Sequence, residues 1–152
     1  MNKKIFSFIA LIMVAGVFFG TIYTEKKAKA VSPSSSDVQL LARCVNGEAR
    51  GEPYTGQVAV AAVILNRVKH PSFPNTIPAV IYQPGAFTAT VDGQINVPID
   101  PNSTVYKACQ DALNGWDPSG GAIYYYNPAK TTNKWIWSRP IITVIGRHNF
   151  AG

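Results

Sequence analysis

The rhythm of hydrophobic and polar positions changes several times along this chain, and each change marks an element. Lys3 and Lys4 precede an uncharged, largely apolar run from Ile5 to Tyr23, and Ala28-Lys29-Ala30 supplies the small-x-small pattern that signal peptidase reads. This predicts an export leader over residues 1–30. It is either a cleaved signal peptide or a retained membrane anchor, because the apolar run is about long enough to span a bilayer. In both cases the rest of the chain faces outward. Val31-Ser-Pro-Ser-Ser-Ser36 reads as flexible, so residues 31–37 are assigned to a linker and residues 38–152 to one small domain.

Beyond the linker the period becomes helical. Asp37 is placed to cap a helix in which Val38, Leu41, Val45 and then Glu48 recur at three- and four-residue steps; Gly47, Gly51 and Pro53 weaken and stop it. From Thr55 or Gly56 to Val68 the chain is apolar nearly all round, which predicts a central buried helix. Residues 71–101 hold six prolines and little periodicity, so loops are expected there, with one short helix near Pro78–Tyr82. Val105, Ala108, Cys109, Ala112 and Leu113 form the stripe of another helix. It starts near Asn102 or Ser103 and ends at Gly115. Ala122–Tyr126 and Trp135–Ile145 are rich in aromatic and β-branched residues and predict an antiparallel pair. The class expected is α+β, a helical domain with a small antiparallel β-sheet.

Composition then narrows the function. Fourteen lysines and arginines against eight acids give a formal charge of +6, but five basic residues and one acid lie within residues 1–30, leaving nine against seven, a net of +2. The basic character belongs largely to the leader, so no nucleic-acid partner is expected. Cys44 and Cys109 are the only cysteines, and their pairing is left open: an extracellular disulfide and two buried thiols both fit.

Candidate chemistry follows by elimination. The acids beyond the leader are Asp37, Glu48, Glu52, Asp92, Asp100, Asp111 and Asp117, and the imidazoles are His70 and His148. No metal ligands have the usual zinc spacing, and no nucleophile elbow is present, so neither a metal nor another cofactor is expected. A Cys44–His148 pair is conceivable in an exported peptidase, but Cys44 falls inside a helix rather than at its N-terminus. Glu48 continues an apolar helical face. Desolvation there favours the protonated carboxyl, an acid able to protonate a glycosidic oxygen. The alternative is a structural pairing with Arg43 or Arg50. Glu52, past the helix break, reads as a solvated or loop-tying acid.

Sugar recognition needs flat apolar faces beside hydrogen-bonding groups. Trp135 and Trp137 are expected on one face of their strand and Tyr124 and Tyr126 on one face of theirs, either as sheet core or as a glycan platform. Gln83, Asn127 and Ser138 are polar residues near these aromatics and serve as ligand donors or as turn formers.

Eight segments in fixed order then resemble one family: Asn46-Gly-Glu-Ala-Arg-Gly-Glu-Pro-Tyr54, Gly56-Gln-Val-Ala-Val-Ala-Ala-Val-Ile-Leu-Asn-Arg67, Pro71-Ser-Phe-Pro-Asn-Thr76, Tyr82-Gln-Pro-Gly-Ala-Phe-Thr88, Asp92-Gly-Gln94, Asn114-Gly-Trp-Asp-Pro118, Tyr125-Tyr-Asn-Pro128 and Lys134-Trp-Ile-Trp-Ser-Arg-Pro140. Together they look like the catalytic domain of the spore cortex-lytic enzymes, cell wall hydrolases of endospore-forming bacteria. The resemblance implies a lysozyme-like, lytic transglycosylase-like fold. It also implies cleavage of peptidoglycan glycan strands between N-acetylmuramic acid and N-acetylglucosamine, with Glu48 matching the catalytic glutamate. Tyr54, Phe87 and Thr88 lie within the matching segments and join Gln83, Tyr124, Tyr126, Asn127, Trp135, Trp137 and Ser138 as candidate substrate contacts. A monomer acting at the cell wall, the spore envelope or the outer face of the membrane is expected, with residues 5–23 as a possible tether.

An ordinary glycosidase needs a second carboxylate, at about 5 Å as nucleophile or farther off as a water-activating base, and no second acid here shares the setting of Glu48. A lytic transglycosylase manages with one. The muramoyl 6-hydroxyl attacks its own anomeric carbon, leaving a 1,6-anhydro end. Asp92, Asp100 or Glu52 would restore hydrolysis if the loops bring one close. The longer family members carry a separate wall-binding domain, whereas here a few residues join leader and catalytic domain, so affinity is expected from the cleft or from tethering. A non-catalytic wall-binding protein and a cysteine peptidase or amidase are the alternatives.

Overall fold

The computed structural model describes residues 32–152. The leader and tether expected over residues 1–30 lie outside that range. Among the described residues no helix is long and apolar enough to cross a membrane.

Helix α1 (Ser35–Ala49) begins earlier than the pattern suggested. Ser34, not Asp37, is its cap: the Ser34 side chain accepts from the Asp37 N–H, and the Asp37 carboxylate accepts from the Ser34 N–H. This reciprocal box satisfies two orphan donors and draws Ser35 and Ser36, expected in the linker, into the first turn. Helix α2 (Tyr54–Lys69) buries every residue from Gly56 to Ile64. Its all-round apolarity has a direct cause, since α1, the short α3 (Ile77–Ile81), α4 (Thr104–Leu113) and the first strand all pack against it. Ser103 caps α4 by accepting from the Tyr106 N–H. Leu41, Val45, Val58, Val63, Ile64, Val80 and Ile81, with Phe150 from the sheet, form one core.

Polar side chains fasten the loops to this core. Gln39 exchanges two hydrogen bonds with the backbone of Ile99, donating at 2.9 Å and accepting at 2.7 Å. Arg67 is buried and donates from Nε to the Ile123 carbonyl at 2.7 Å, while its guanidinium lies 5.2 Å from the ring centres of both Phe73 and Phe87. Burial pushes the pKa of this arginine down, and the aromatic faces offset part of that cost.

The sheet departs from expectation in two ways. It has three antiparallel strands in the order β1 (Tyr124–Tyr126), β3 (His148–Ala151), β2 (Ile141–Ile145), so the strand latest in sequence is central. The single strand expected over Trp135–Ile145 is instead a 3₁₀ turn (Ile136–Ser138) followed by β2. Pro140 separates the two, and it has no N–H to give to a ladder. In this turn Ile136 is buried while Trp135 and Trp137 on either side are half-exposed, so the two tryptophans are not sheet core.

Candidate active site: an acid held between a helix and a strand

Glu48 lies in the last turn of α1 and is partly buried. Its two oxygens are held from opposite sides. Oε1 accepts from the Ala89 N–H at 2.9 Å, and Oε2 accepts from the Tyr125 hydroxyl at 3.0 Å. The expected alternative partners are engaged elsewhere, since Arg43 donates to Gln39 and Arg50 donates to Gln94.

Gly47 explains how the Ala89 turn comes so close. A Cβ at residue 47 would meet the Ala89 Cβ at 2.7 Å and the Gln94 Cβ at 3.0 Å, so only glycine lets the Thr88–Thr90 turn pack onto the helix end. Tyr125 arrives on β1, between two residues that point the other way. Burial, and then the charge of Glu48, push its phenol well above the ordinary value. The hydroxyl therefore keeps its proton and stays a donor.

A cleft of about 410 Å³ opens over this acid, lined also by Glu52, Thr88, Asp92, Tyr126, Asn127, Lys130, Thr131, Arg147 and His148. Its three acids differ in setting. Glu52 is buried, with Oε1 accepting from Arg147 Nε at 2.8 Å and Oε2 from the Arg147 N–H at 3.0 Å. Burial alone would raise its pKa, but these two Arg147 donors outweigh it and hold the carboxyl below the usual range. Glu52 thus ties the β2–β3 turn to the end of α1, as the loop-tying reading expected. Asp92 is exposed on its turn and accepts from the Gln94 N–H at 3.0 Å. His148 is buried, its ring edge-on to Tyr125 at 5.2 Å, and no partner among the described residues reaches its Nδ1. Burial pushes its pKa down.

Of the residues singled out from sequence, Glu48, Thr88, Tyr126 and Asn127 share the cleft. Trp137 adjoins them by packing edge-on against Tyr126 at 5.3 Å, and Trp135 stands against Tyr124 at 5.2 Å. Trp137 sits in the 3₁₀ turn and Trp135 just before it, neither on a strand face. Ser138 closes that turn by donating to the Trp135 carbonyl at 2.7 Å.

Three others lie apart from the cleft wall. Tyr54 donates to Asp111 at 2.6 Å and so links α2 to α4. Phe87 is buried against Arg67. Gln83 lies in a loop turn, where its backbone carbonyl accepts from the Ala86 N–H. Sequence reasoning missed Tyr125, Ala89, Lys130, Thr131 and Arg147 as neighbours of the acid. The strand period carried a signal for Tyr125, since Tyr124 and Tyr126 on one face leave Tyr125 on the other.

The two cysteines are free and buried, and burial pushes the Cys109 thiol up to about 12 and that of Cys44 higher still. Burial disfavours the thiolate at both and keeps them out of the cleft lining, which argues against a cysteine nucleophile. Among the described residues no group of three His, Cys, Asp or Glu side chains is arranged to hold a metal ion.

Known proteins share this arrangement of elements. Over 117 residues the chain is 62% identical to a spore cortex-lytic enzyme of Bacillus cereus, covering 77% of this chain and 44% of that relative. The chain thus spans less than half the length of the relative. Among solved structures, the catalytic domain of SleB from Bacillus cereus superposes with a TM-score of 0.74 at 60% identity, covering 78% of this chain and 91% of that one. The catalytic domain of the germination-specific lytic transglycosylase SleB from Bacillus anthracis gives 0.76 at 58% identity, covering 80% and 98%. The fold is lysozyme-like, as the sequence resemblance implied. The family model described as Cell Wall Hydrolase matches residues 51–151, a span that contains Ala89 and Tyr125, the two donors to Glu48. The chain belongs to the Cell Wall Hydrolase family.

Proposed function

We propose that this protein cleaves peptidoglycan glycan strands between N-acetylmuramic acid and N-acetylglucosamine as a lytic transglycosylase, in the lysis of spore cortex during germination. The single observation carrying this reading is the setting of Glu48, an acid in an open cleft with a donor on each oxygen and, among the described residues, no cation paired to it. Glu48 gives its proton to the glycosidic oxygen, and the carboxylate left behind is stabilised by the Ala89 N–H and the Tyr125 hydroxyl. The same carboxylate then takes the proton of the muramoyl 6-hydroxyl as that oxygen closes on the anomeric carbon. The second acid of the cleft wall, Glu52, is occupied by Arg147.

Thr88, Tyr126, Asn127 and Trp137 are the proposed substrate contacts along the cleft. The protein works outside the cell, at the wall or spore envelope. Residues 5–23 tether it if the leader is retained, and it acts as a monomer.

The test is a digest of purified cortex peptidoglycan analysed by mass spectrometry. Muropeptides with 1,6-anhydro ends are expected from the parent and none from Glu48→Gln; equal yields from both would overturn the assignment. Asp92 lines the same cleft, and reducing ends in place of anhydro ends would identify hydrolysis, with Asp92 the candidate base to test by Asp92→Asn.

A further inference from the structure

Charge is distributed unevenly along the folded domain. Every acid from Asp37 onward lies at or before Asp117, whereas residues 118–152 contain Lys130, Lys134, Arg139 and Arg147 and no acid at all. Arg147 is paired with Glu52. No carboxylate among the described residues lies within ion-pair distance of Lys130, Lys134 or Arg139.

These three cations share one excursion, from the end of β1 to the start of β2, and that excursion is firmly built. Asn127 accepts from the Ala129 N–H at 2.9 Å and Asn133 from the Trp135 N–H at 3.0 Å, while buried Ile136 anchors the turn. Trp135 and Trp137 are each 50% exposed, yet each is backed by a tyrosine of β1. The Arg139 guanidinium lies 4.9 Å from the Trp135 ring centre, and its Nε is buried with no acceptor among the described residues. Stacking restrains the guanidinium plane, and its terminal N–H donors are the ones a carboxylate would meet. Lys130 lines the cleft, and Trp137 touches Tyr126, which also lines it, so the excursion is continuous with the Glu48 site.

We propose that Lys130, Lys134 and Arg139 form a carboxylate-reading surface that holds the peptides branching from the glycan strand, with Trp135 as the platform that orients Arg139. The surface rests on the proposed wall substrate and adds which part of it is gripped outside the scissile bond. Its occupant is the free carboxylate of a peptide substituent. A phosphodiester polymer attached to the wall offers a similar anion and is the competing source.

The test is co-sedimentation of the full chain carrying Glu48→Gln with purified peptidoglycan, alone and with Lys134→Gln, Arg139→Gln or both added. Each substitution is expected to weaken binding about threefold and the pair about tenfold, the range of exposed charge pairs, with a shallower salt dependence. Amidating the wall carboxylates should bring parent and double variant to the same weak affinity. Arg139→Lys, which keeps the charge, should recover part of the loss, and matching melting curves exclude misfolding. Equal binding of parent and double variant to untreated wall would overturn the proposal. So would a difference that survives amidation, or one that vanishes when hydrofluoric acid strips phosphodiester polymers. Binding is measured without cleavage, so a chain that binds in this way yet releases no anhydro ends would refute the proposed reaction and leave the surface standing.

Discussion

Tyr125 reaches Glu48 across 77 positions of sequence to donate one hydrogen bond of 3.0 Å. That bond joins the sheet to the helical layer at a cleft acid that no cation among the described residues pairs with. It makes the strand a positioning device for the carboxyl.

Tyr125→Phe keeps the ring between His148 and Phe150 and removes only the donor. A hydrogen bond to a charged group is worth about 1.5–3 kcal/mol, so kcat should fall about 10- to 100-fold with KM little changed. Steady-state kinetics on soluble glycan fragments measure this. An unchanged kcat would show that the hydroxyl is incidental to the reaction.

Gly47→Ala places a methyl group where the Ala89 side chain already is. The Thr88–Thr90 turn must retreat, the Ala89 N–H leaves Glu48, and overpacking costs about 1–3 kcal/mol. Both melting temperature and kcat should drop. The double variant Gly47→Ala, Ala89→Gly removes the methyl that is struck and should recover much of both; failure to recover either would refute the close-packing account.

The Glu52–Arg147 pair sets an acid limit on stability. The folded pKa of Glu52 lies below its ordinary value of 4.5, so its contribution is complete above about pH 4.5 and is lost as pH falls through the folded value. Glu52→Gln should therefore melt earlier than the parent at pH 7, with the gap closing below pH 4.5. Arg147 is 62% exposed on its side chain, which keeps the expected loss at pH 7 to about 1–2 kcal/mol. A gap that widened on acidification would contradict the pairing.

Neither cysteine should react with iodoacetamide in the native protein at pH 8, and both should react after unfolding, because burial holds the thiols protonated. Cys44→Ala should retain cleavage. Rapid native labelling, or loss of cleavage with an intact fold, would revive a thiol-dependent reaction.

The helices were legible because their periodicity reports burial directly: the all-apolar α2 is surrounded, and the stripes of α1 and α4 face it. The sheet was read less well. Residues 135–145 are rich in aromatic and β-branched residues, and that composition outweighed the interruption at Ser138-Arg139-Pro140, where the structure breaks. The central strand was passed over because His148-Asn-Phe-Ala151 is short and mixed, although Gly146-Arg147 before it is a two-residue hairpin turn with glycine first. At the site, Glu48 stood out by its phase on the helix. Its donors did not, because one is a backbone N–H in a proline-rich loop and the other depends on long-range strand pairing. Tyr54 and Phe87, singled out by motif, hold elements together at a distance from the acid.

The strand order β1-β3-β2 also constrains how the domain folds. Until His148–Ala151 has inserted, β1 and β2 have no neighbour to pair with, and Tyr125 has no frame to hold it against Glu48. The helical layer can form first, but the acid is completed last. A chain cut between Glu48 and His148 carries the acid without the framed donor, so truncation yields a protein that lacks the assembled site rather than one that cuts without control.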